Sequence, residues 1–257
     1  LINSLIKKKI SIISHKAQTT NTAIKGILNL KKNQIILIDT PGLLSPKSYL
    51  NKKMTRSIYH SSIDSDFNLL VHDVRKTINL IEKKNLERLL NKKKNFLIVN
   101  KIDLVDKETL LNTVKNISSM FNFEKIFMVS AIKSKGLTEL KESIIKFLPE
   151  RDWLYKNDQL TDQKIEFILS EMTREKIFQL LNQEIPYSIS LKTKILDTER
   201  ILKIYQTVFV NKKSQKPIII GKHGSKIKEI GIRARKDMEK KLMRKIHLDI
   251  LVTALEN

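Results

Sequence analysis

No cysteine occurs among the 257 residues, which removes disulfides and thiolate metal sites and fits a reducing, cytoplasmic setting. Glycine (6) and proline (5) are scarce, so the chain is neither a flexible low-complexity tract nor a fibrous repeat. No apolar run approaches the roughly 20 residues needed to cross a bilayer, and no targeting stretch opens at Leu1. The five histidines (15, 60, 72, 223 and 247) form no HxxxH or HxH pair, and no Ser/His/Asp arrangement for nucleophilic catalysis stands out. Acidic residues are also in short supply. Twenty-seven Asp and Glu face 49 Lys and Arg, a formal charge of +22. Such an excess asks for a polyanionic partner. It is diffuse: residues 1–150 carry 27 basic against 13 acidic side chains, and residues 201–257 carry 14 against 5. Basic surface of this kind suits anionic lipid as well as RNA, so peripheral contact at an inner membrane is the second partner it allows.

The length accommodates two domains, each with its own core. Residues 1–150 alternate short apolar runs with amphipathic stretches. Gln34–Ile38, Phe67–His72, Asn95–Val99 and Lys125–Val129 have the continuous apolar character of strands buried on both faces. Ile78–Asn91, Lys107–Phe121 and Leu137–Leu148 have helical spacing. This alternation predicts a parallel sheet covered on both sides, with ligands at the carboxyl ends of its strands. Residues 151–163 are polar and predict a linker, with Thr161 or Asp162 capping the next helix. Residues 164–257 predict helix–strand–strand, a glycine-bracketed loop, a basic helix to about Lys245, and a last strand at His247–Val252.

Three motifs close successive apolar runs: Asp39-Thr40-Pro41-Gly42, then Asn100-Lys101-Ile102-Asp103, then Ser130-Ala131. The second is the most specific. A carboxylate at Asp103 can accept two hydrogen bonds from the guanine N1–H and exocyclic amine. Adenine lacks that donor pair and would leave the charge unpaired, a discrimination of roughly 10⁴–10⁵. Asn100 can tie neighbouring loops together, the stem of Lys101 can lie over the base, and the Ala131 N–H can approach guanine O6. Asp39 can hold Mg²⁺ through water, and Gly42 permits close approach to a γ-phosphate. Leu43 stands where several GTPases place a water-orienting Gln, which predicts slow intrinsic hydrolysis. Thr20, ahead of Thr19 as the choice, is positioned as a switch-loop hydroxyl for Mg²⁺. The GxxxxGK[ST] phosphate loop is absent, and none of the glycines clusters near Leu1. Leu1-Ile2-Asn3-Ser4-Leu5 has the character of the helix that would follow such a loop. The expectation is a shortened N-terminus, with no useful GTP affinity or turnover for these residues alone.

Gly221-Lys222-His223-Gly224 precedes a helix bearing Lys226, Lys228 and Arg235. Two glycines around two residues let backbone approach a sugar-phosphate chain, and the helix N-terminus adds its dipole. Helix–strand–strand before this loop and helix–strand after it is the order of a type II KH domain.

Together these residues resemble the Era GTPases, ribosome-assembly factors with a GTPase domain followed by a KH domain. Lys16–Thr20, Asp39–Leu43, Asn100–Asp103 and Ser130-Ala131 look like the family's nucleotide motifs. Asp158–Asp162, Arg174-Glu175-Lys176, Glu184–Ser188, Ile220–Gly231 and Ala234–Asp237 extend the resemblance through the linker and the KH domain. Asn21 departs from the arginine usual after the paired threonines, and Leu255-Glu256-Asn257 stops short of the family's C-terminal extension. The resemblance implies an α/β fold, a P-loop-GTPase-like parallel sheet lacking its first strand and phosphate loop, followed by an α+β type II KH domain. It also implies GTP or GDP with Mg²⁺, and small-subunit ribosomal RNA near its 3′ end as partner. The role implied is small-ribosomal-subunit maturation by a monomeric chain. The alternative is a nucleotide-free RNA-binding assembly factor with a degenerate GTPase domain.

Overall fold

The fold is described from a computed structural model, which covers residues 1–13, 23–42, 49–90, 93–181, 189–198 and 200–255, with backbone alone at 49–55. The chain divides into two units, Leu1–Ile10 with Thr20–Asp162 and Ser11–Thr19 with Gln163–Asn257.

In the first unit, α1 (Ile2–Ile6) precedes a hairpin of β1 (Ile24–Leu30) and β2 (Asn33–Asp39). The hairpin turns at Lys31, whose φ of 44° is left-handed. α2 (Tyr49–Asp64), β3 (Asn68–Asp73), α3 (Leu80–Leu90), β4 (Asn95–Asn100), α4 (Lys107–Ser118), β5 (Lys125–Val129) and α5 (Leu137–Phe147) follow. β3, β4 and β5 form a parallel sheet in that order, whereas β1 and β2 pair antiparallel. The expected parallel sheet is present in β3–β5, and β1, which the sequence did not mark as a strand, adds an antiparallel partner to β2. A two-residue connection can only make a hairpin, because a parallel crossover needs a dozen residues or more. Among the described residues no strand lies between β2 and β3, so each has one edge without a strand partner.

β4 is the centre of the unit. Phe96, Leu97, Ile98 and Val99 are fully buried, because α4 side chains cover one face and α5 side chains the other. The Phe96 ring meets Phe147 at 4.8 Å, Phe67 at 5.0 Å and Phe127 at 5.9 Å between centroids. Local chemistry sets the helix starts. Asp106 accepts the Thr109 N–H at 2.7 Å to cap α4. Asn79 and Glu82 exchange reciprocal bonds of 2.9 and 3.0 Å ahead of α3. At Gly26 a Cβ would lie 2.5 Å from Ile6 Cδ1 and 2.8 Å from Ile2 Cδ1, so a side chain here would push the tips of both isoleucines of α1 aside.

The polar stretch after α5 is bonded to the hairpin. The Ile27 N–H donates to the Leu160 carbonyl at 2.8 Å, and Gln34 Oε1 accepts from Leu154 and Tyr155 N–H at 3.0 Å. Asp162 pairs with Lys25 at 3.8 Å, and α6 begins with Lys164 rather than Thr161 or Asp162 at its N-cap.

The second unit runs α6 (Ile165–Leu180), β6 (Ser190–Asp197), β7 (Leu202–Val210), α7 (Lys216–Ile220), α8 (Ser225–Leu242) and β8 (Ile246–Ala254). β6 and β7 are antiparallel, β7 and β8 parallel, and α6 and α8 cover one sheet face. This is the type II KH order. Arg174-Glu175-Lys176 lies in the buried middle of α6. Arg174 is clamped to Glu171 at 2.7 and 2.9 Å, and Lys176 reaches Asp237 of α8 at 2.6 Å. Gln206, pointing inward from β7, accepts from Thr173 and donates to Leu169 O and Thr193 Oγ1. Its amide is therefore satisfied in the core.

Phe96→Ala is expected to cost about 3–5 kcal/mol, since three ring contacts are lost and a cavity is left. Urea denaturation of the two proteins checks this; a loss below 1 kcal/mol would show that the aromatic cluster is not the centre of the unit.

Candidate guanine-nucleotide and RNA sites

Strand register assembles the residues that the sequence marked as candidates for base reading. Asp73, Asn100 and Val129 are partners across β3, β4 and β5, so the three strand ends form one row. Asn100 Oδ1 accepts the N–H of Lys101 at 2.8 Å and of Ala131 at 3.1 Å. The loops after β4 and β5 are thereby tied through one side chain. The Ala131 N–H is thus turned to Asn100 in this state, where the sequence suggested a direct approach to a base.

Lys101 has a left-handed φ of 67° and leads into a single turn at Ile102–Leu104. Ile102 packs against the α3–α4 side of the core, which directs exposed Asp103 toward β5. Ser130, fully buried, donates its hydroxyl to Asp103 Oδ1 at 2.5 Å and accepts the Lys133 N–H at 3.1 Å. Its own N–H and carbonyl both pair with Lys135 at 3.1 Å. A carboxylate has about four acceptor positions, so one serine bond leaves capacity for a two-donor base edge.

Asp73 also belongs to this cluster, although the motif search passed over it. Its carboxylate takes Lys101 Nζ at 2.8 Å and the Arg75 guanidinium at 3.1 and 2.8 Å. These bonds, led by Arg75 and opposed by partial burial, hold the Asp73 carboxyl well below the usual carboxylate range. In sequence Asp73 closes the apolar run of β3 just as Asp39 closes that of β2, and nothing local sets it apart as a partner of Lys101.

Asp39, Thr40, Pro41 and Gly42 follow one another out of β2, with Pro41 buried and Gly42 exposed. Leu43 and Thr20 lie outside the described residues. Among the described residues no group of three His, Cys, Asp or Glu side chains is placed to hold a metal ion. Asp39 offers a single hard oxygen donor at the strand end. That suits Mg²⁺ arriving with nucleotide phosphates and does not make a protein cage.

At the other unit, α7 ends at Gly221 (φ 75°) and α8 begins after Gly224 (φ 75°), with His223 at φ 52° between them. A Cβ on Gly221 would meet Lys226 at 2.8 Å, whereas one on Gly224 would meet nothing within 4 Å. The first thus permits tight packing and the second leaves the loop open outward. Gly224 supplies no side-chain cap, so the first N–H groups of α8 have no side-chain acceptor from the cap position. Lys222, His223, Lys226, Lys228 and Arg235 are all exposed, but they do not form one surface. Lys228 and Arg235, seven apart, share a flank of α8, while Lys226 is rotated about 200° from Lys228. Arg233 is engaged with Glu229.

Because its folded-state pKa is depressed, Asp73 contributes stability that is fully present above about pH 4, the unfolded value. That contribution falls away as pH drops toward the folded pKa. Asp73→Asn should therefore lower the melting temperature at pH 7, with the gap to the parent closing in acid. Melting curves at stepped pH check this, and a gap independent of pH would refute the ion-pair account.

Comparison with known proteins matches both units. Residues 1–101 match the 50S ribosome-binding GTPase family, and residues 184–255 match the KH domain. The chain is 34% identical to GTPase Era of Bradyrhizobium diazoefficiens, covering 100% of this chain and 84% of the relative. It is 38% identical to GTPase Era of Syntrophus aciditrophicus, covering 98% and 84%. Among solved structures, an Aquifex aeolicus Era variant bound to GDP and AlF4⁻ superposes with a TM-score of 0.93 at 32% identity, over 100% of this chain and 89% of that one. Era in complex with MgGDPNP and nucleotides 1506–1542 of 16S ribosomal RNA gives 0.94 at 32% identity, over 100% and 88%. With identity above 30% sustained across both units, the chain belongs to the Era family of GTPases.

Proposed function

We propose that this chain reads guanine through Asp103 and small-subunit ribosomal RNA near its 3′ end through the Gly221–Gly224 loop, and serves small-subunit maturation in the cytoplasm. The observation that carries the guanine half is the junction of Asn100, Lys101, Asp103, Ser130 and Ala131 at two adjacent strand ends. A docking module without nucleotide would not need a carboxylate oriented by a buried serine. The RNA half is supported by the open, uncapped start of α8 and by the relative solved with 16S RNA. The description of the matching GTPase family names the large subunit, but that match stops at residue 101. The KH-bearing relative covers the whole chain, so the small-subunit assignment is preferred.

Mg²⁺ held by Asp39, with Thr20 as the switch hydroxyl, would neutralise phosphate charge when nucleotide is bound. The phosphates themselves lack a cradle in these residues, since no GxxxxGK[ST] segment is present. Residues 1–257 by themselves are therefore expected to bind nucleotide weakly and hydrolyse it slowly, Leu43 offering no water-orienting amide.

Titrating fluorescent GDP with Mg²⁺ into this chain, and into a version preceded by a relative's first strand and phosphate loop, tests the site. Tight binding is expected only in the extended form, and Asp103→Asn within it should exchange guanine for xanthine preference. Equal, tight binding by both forms would mean that another segment cradles the phosphates. For RNA, replacing Lys222 and His223 by aspartates should weaken binding at least tenfold in filter assays without lowering the melting temperature. Unchanged affinity would remove the loop from the RNA site.

A further inference from the structure

Among the described residues, the sheet of the KH unit carries helices on one face only. Along β7, Leu202, Ile204, Gln206, Val208 and Val210 point inward, and Tyr205 and Phe209 stand on the opposite, helix-free face. Tyr205 is 40% exposed and Phe209 half-buried. They lie four residues apart on one strand, about 13 Å. Lys192 and Lys194 project beside them from β6, and Lys203 from β7 itself.

None of these three lysines is in an ion pair among the described residues. The face carries one carboxylate, Asp249 of β8. In register Asp249 and Lys194 flank Tyr205 on opposite sides, about 10 Å apart by strand spacing, too far to neutralise one another. Leu251, 63% exposed on β8 beside Thr207, continues the apolar strip.

A solvated sheet face needs polar residues, but it gains nothing from exposed aromatic rings set among unpaired cations. Protein interfaces are depleted in lysine, particularly at their centres. Single-stranded RNA asks for both components, π-faces for unstacked bases and cations for the phosphates between them. We propose that this face is a second RNA-binding surface, a stacking platform in which Tyr205 and Phe209 receive bases and Lys192, Lys194 and Lys203 hold the backbone. It goes beyond the loop assignment above, because the loop starts α8 and α8 packs on the opposite face of the sheet. A short strand meets one surface or the other. A longer one passing around the sheet edge meets both, with affinities that multiply.

The test is fluorescence anisotropy of a labelled ten-residue oligouridylate with the full 257-residue chain. Tyr205→Ala should weaken binding at least fivefold, the lower bound for losing one stacked base, and Tyr205→Phe should restore it. Lys192→Glu with Lys194→Glu should reduce the salt dependence by about 0.7 in log–log slope for each lost phosphate contact. Both effects should persist in the chain carrying aspartates at 222 and 223, which separates the platform from the loop. If the loop variant abolishes binding while the Tyr205 and lysine variants bind like the parent, the loop assignment stands and the platform is refuted. If all of these variants bind like the parent, both assignments fail. Circular dichroism melts confirm that the exposed-face variants remain folded.

Discussion

The loop cluster proposed to read guanine depends on β4 being hydrogen-bonded on both sides and buried on both faces. A strand so enclosed cannot slip by one residue without driving Phe96 and Ile98 to the wrong side. The position of Asn100 is therefore as fixed as the core itself. From it follow the bond to Ala131, the left-handed step at Lys101 and the reach of Asp103 to Ser130. The site is a set of loops, and its precision comes from a strand.

The KH unit solves a different problem. α6 is buried over Leu169–Phe178 while containing Glu171, Arg174, Glu175 and Lys176. Charges so placed are tolerable because they face partners, on α6 itself and on Asp237 of α8. Breaking one partner would leave another charge buried and unpaired, which costs more than the pair gains. The charge at Lys222, and on the open sheet face, is left exposed. Charge within the core specifies the fold, and charge at these surfaces remains available for phosphate.

The alternating patterns of β3 to β5 and α3 to α5 were legible in the sequence because each element is strongly apolar on the face or faces it buries. β1 was not, because Gly26 and Asn29 interrupt its pattern. Its place as a strand is secured by pairing with β2 and by Leu160 on its other edge. Among site residues, the motifs at Asn100–Asp103 and Ser130-Ala131 could be named in advance. Asp73 could not, because nothing local distinguishes it from other strand-end carboxylates until Lys101 is seen beside it. Similarly, the basic residues of α8 read as one group in sequence and separate onto two flanks when wound at 3.6 residues per turn.

The sequence by itself named the class of chemistry: a carboxylate proposed for guanine, a glycine-bracketed loop proposed for RNA, and an excess of positive charge. These are properties of residue types at short spacing, which survive without a fold. Only the tertiary structure decided that the hairpin runs antiparallel, that Asn100 occupies the Ala131 N–H, and that two aromatic rings share a face with three lysines that have no ion pair among the described residues. Those outcomes depend on register and on contacts between residues distant along the chain, where no local pattern records which side chains will meet.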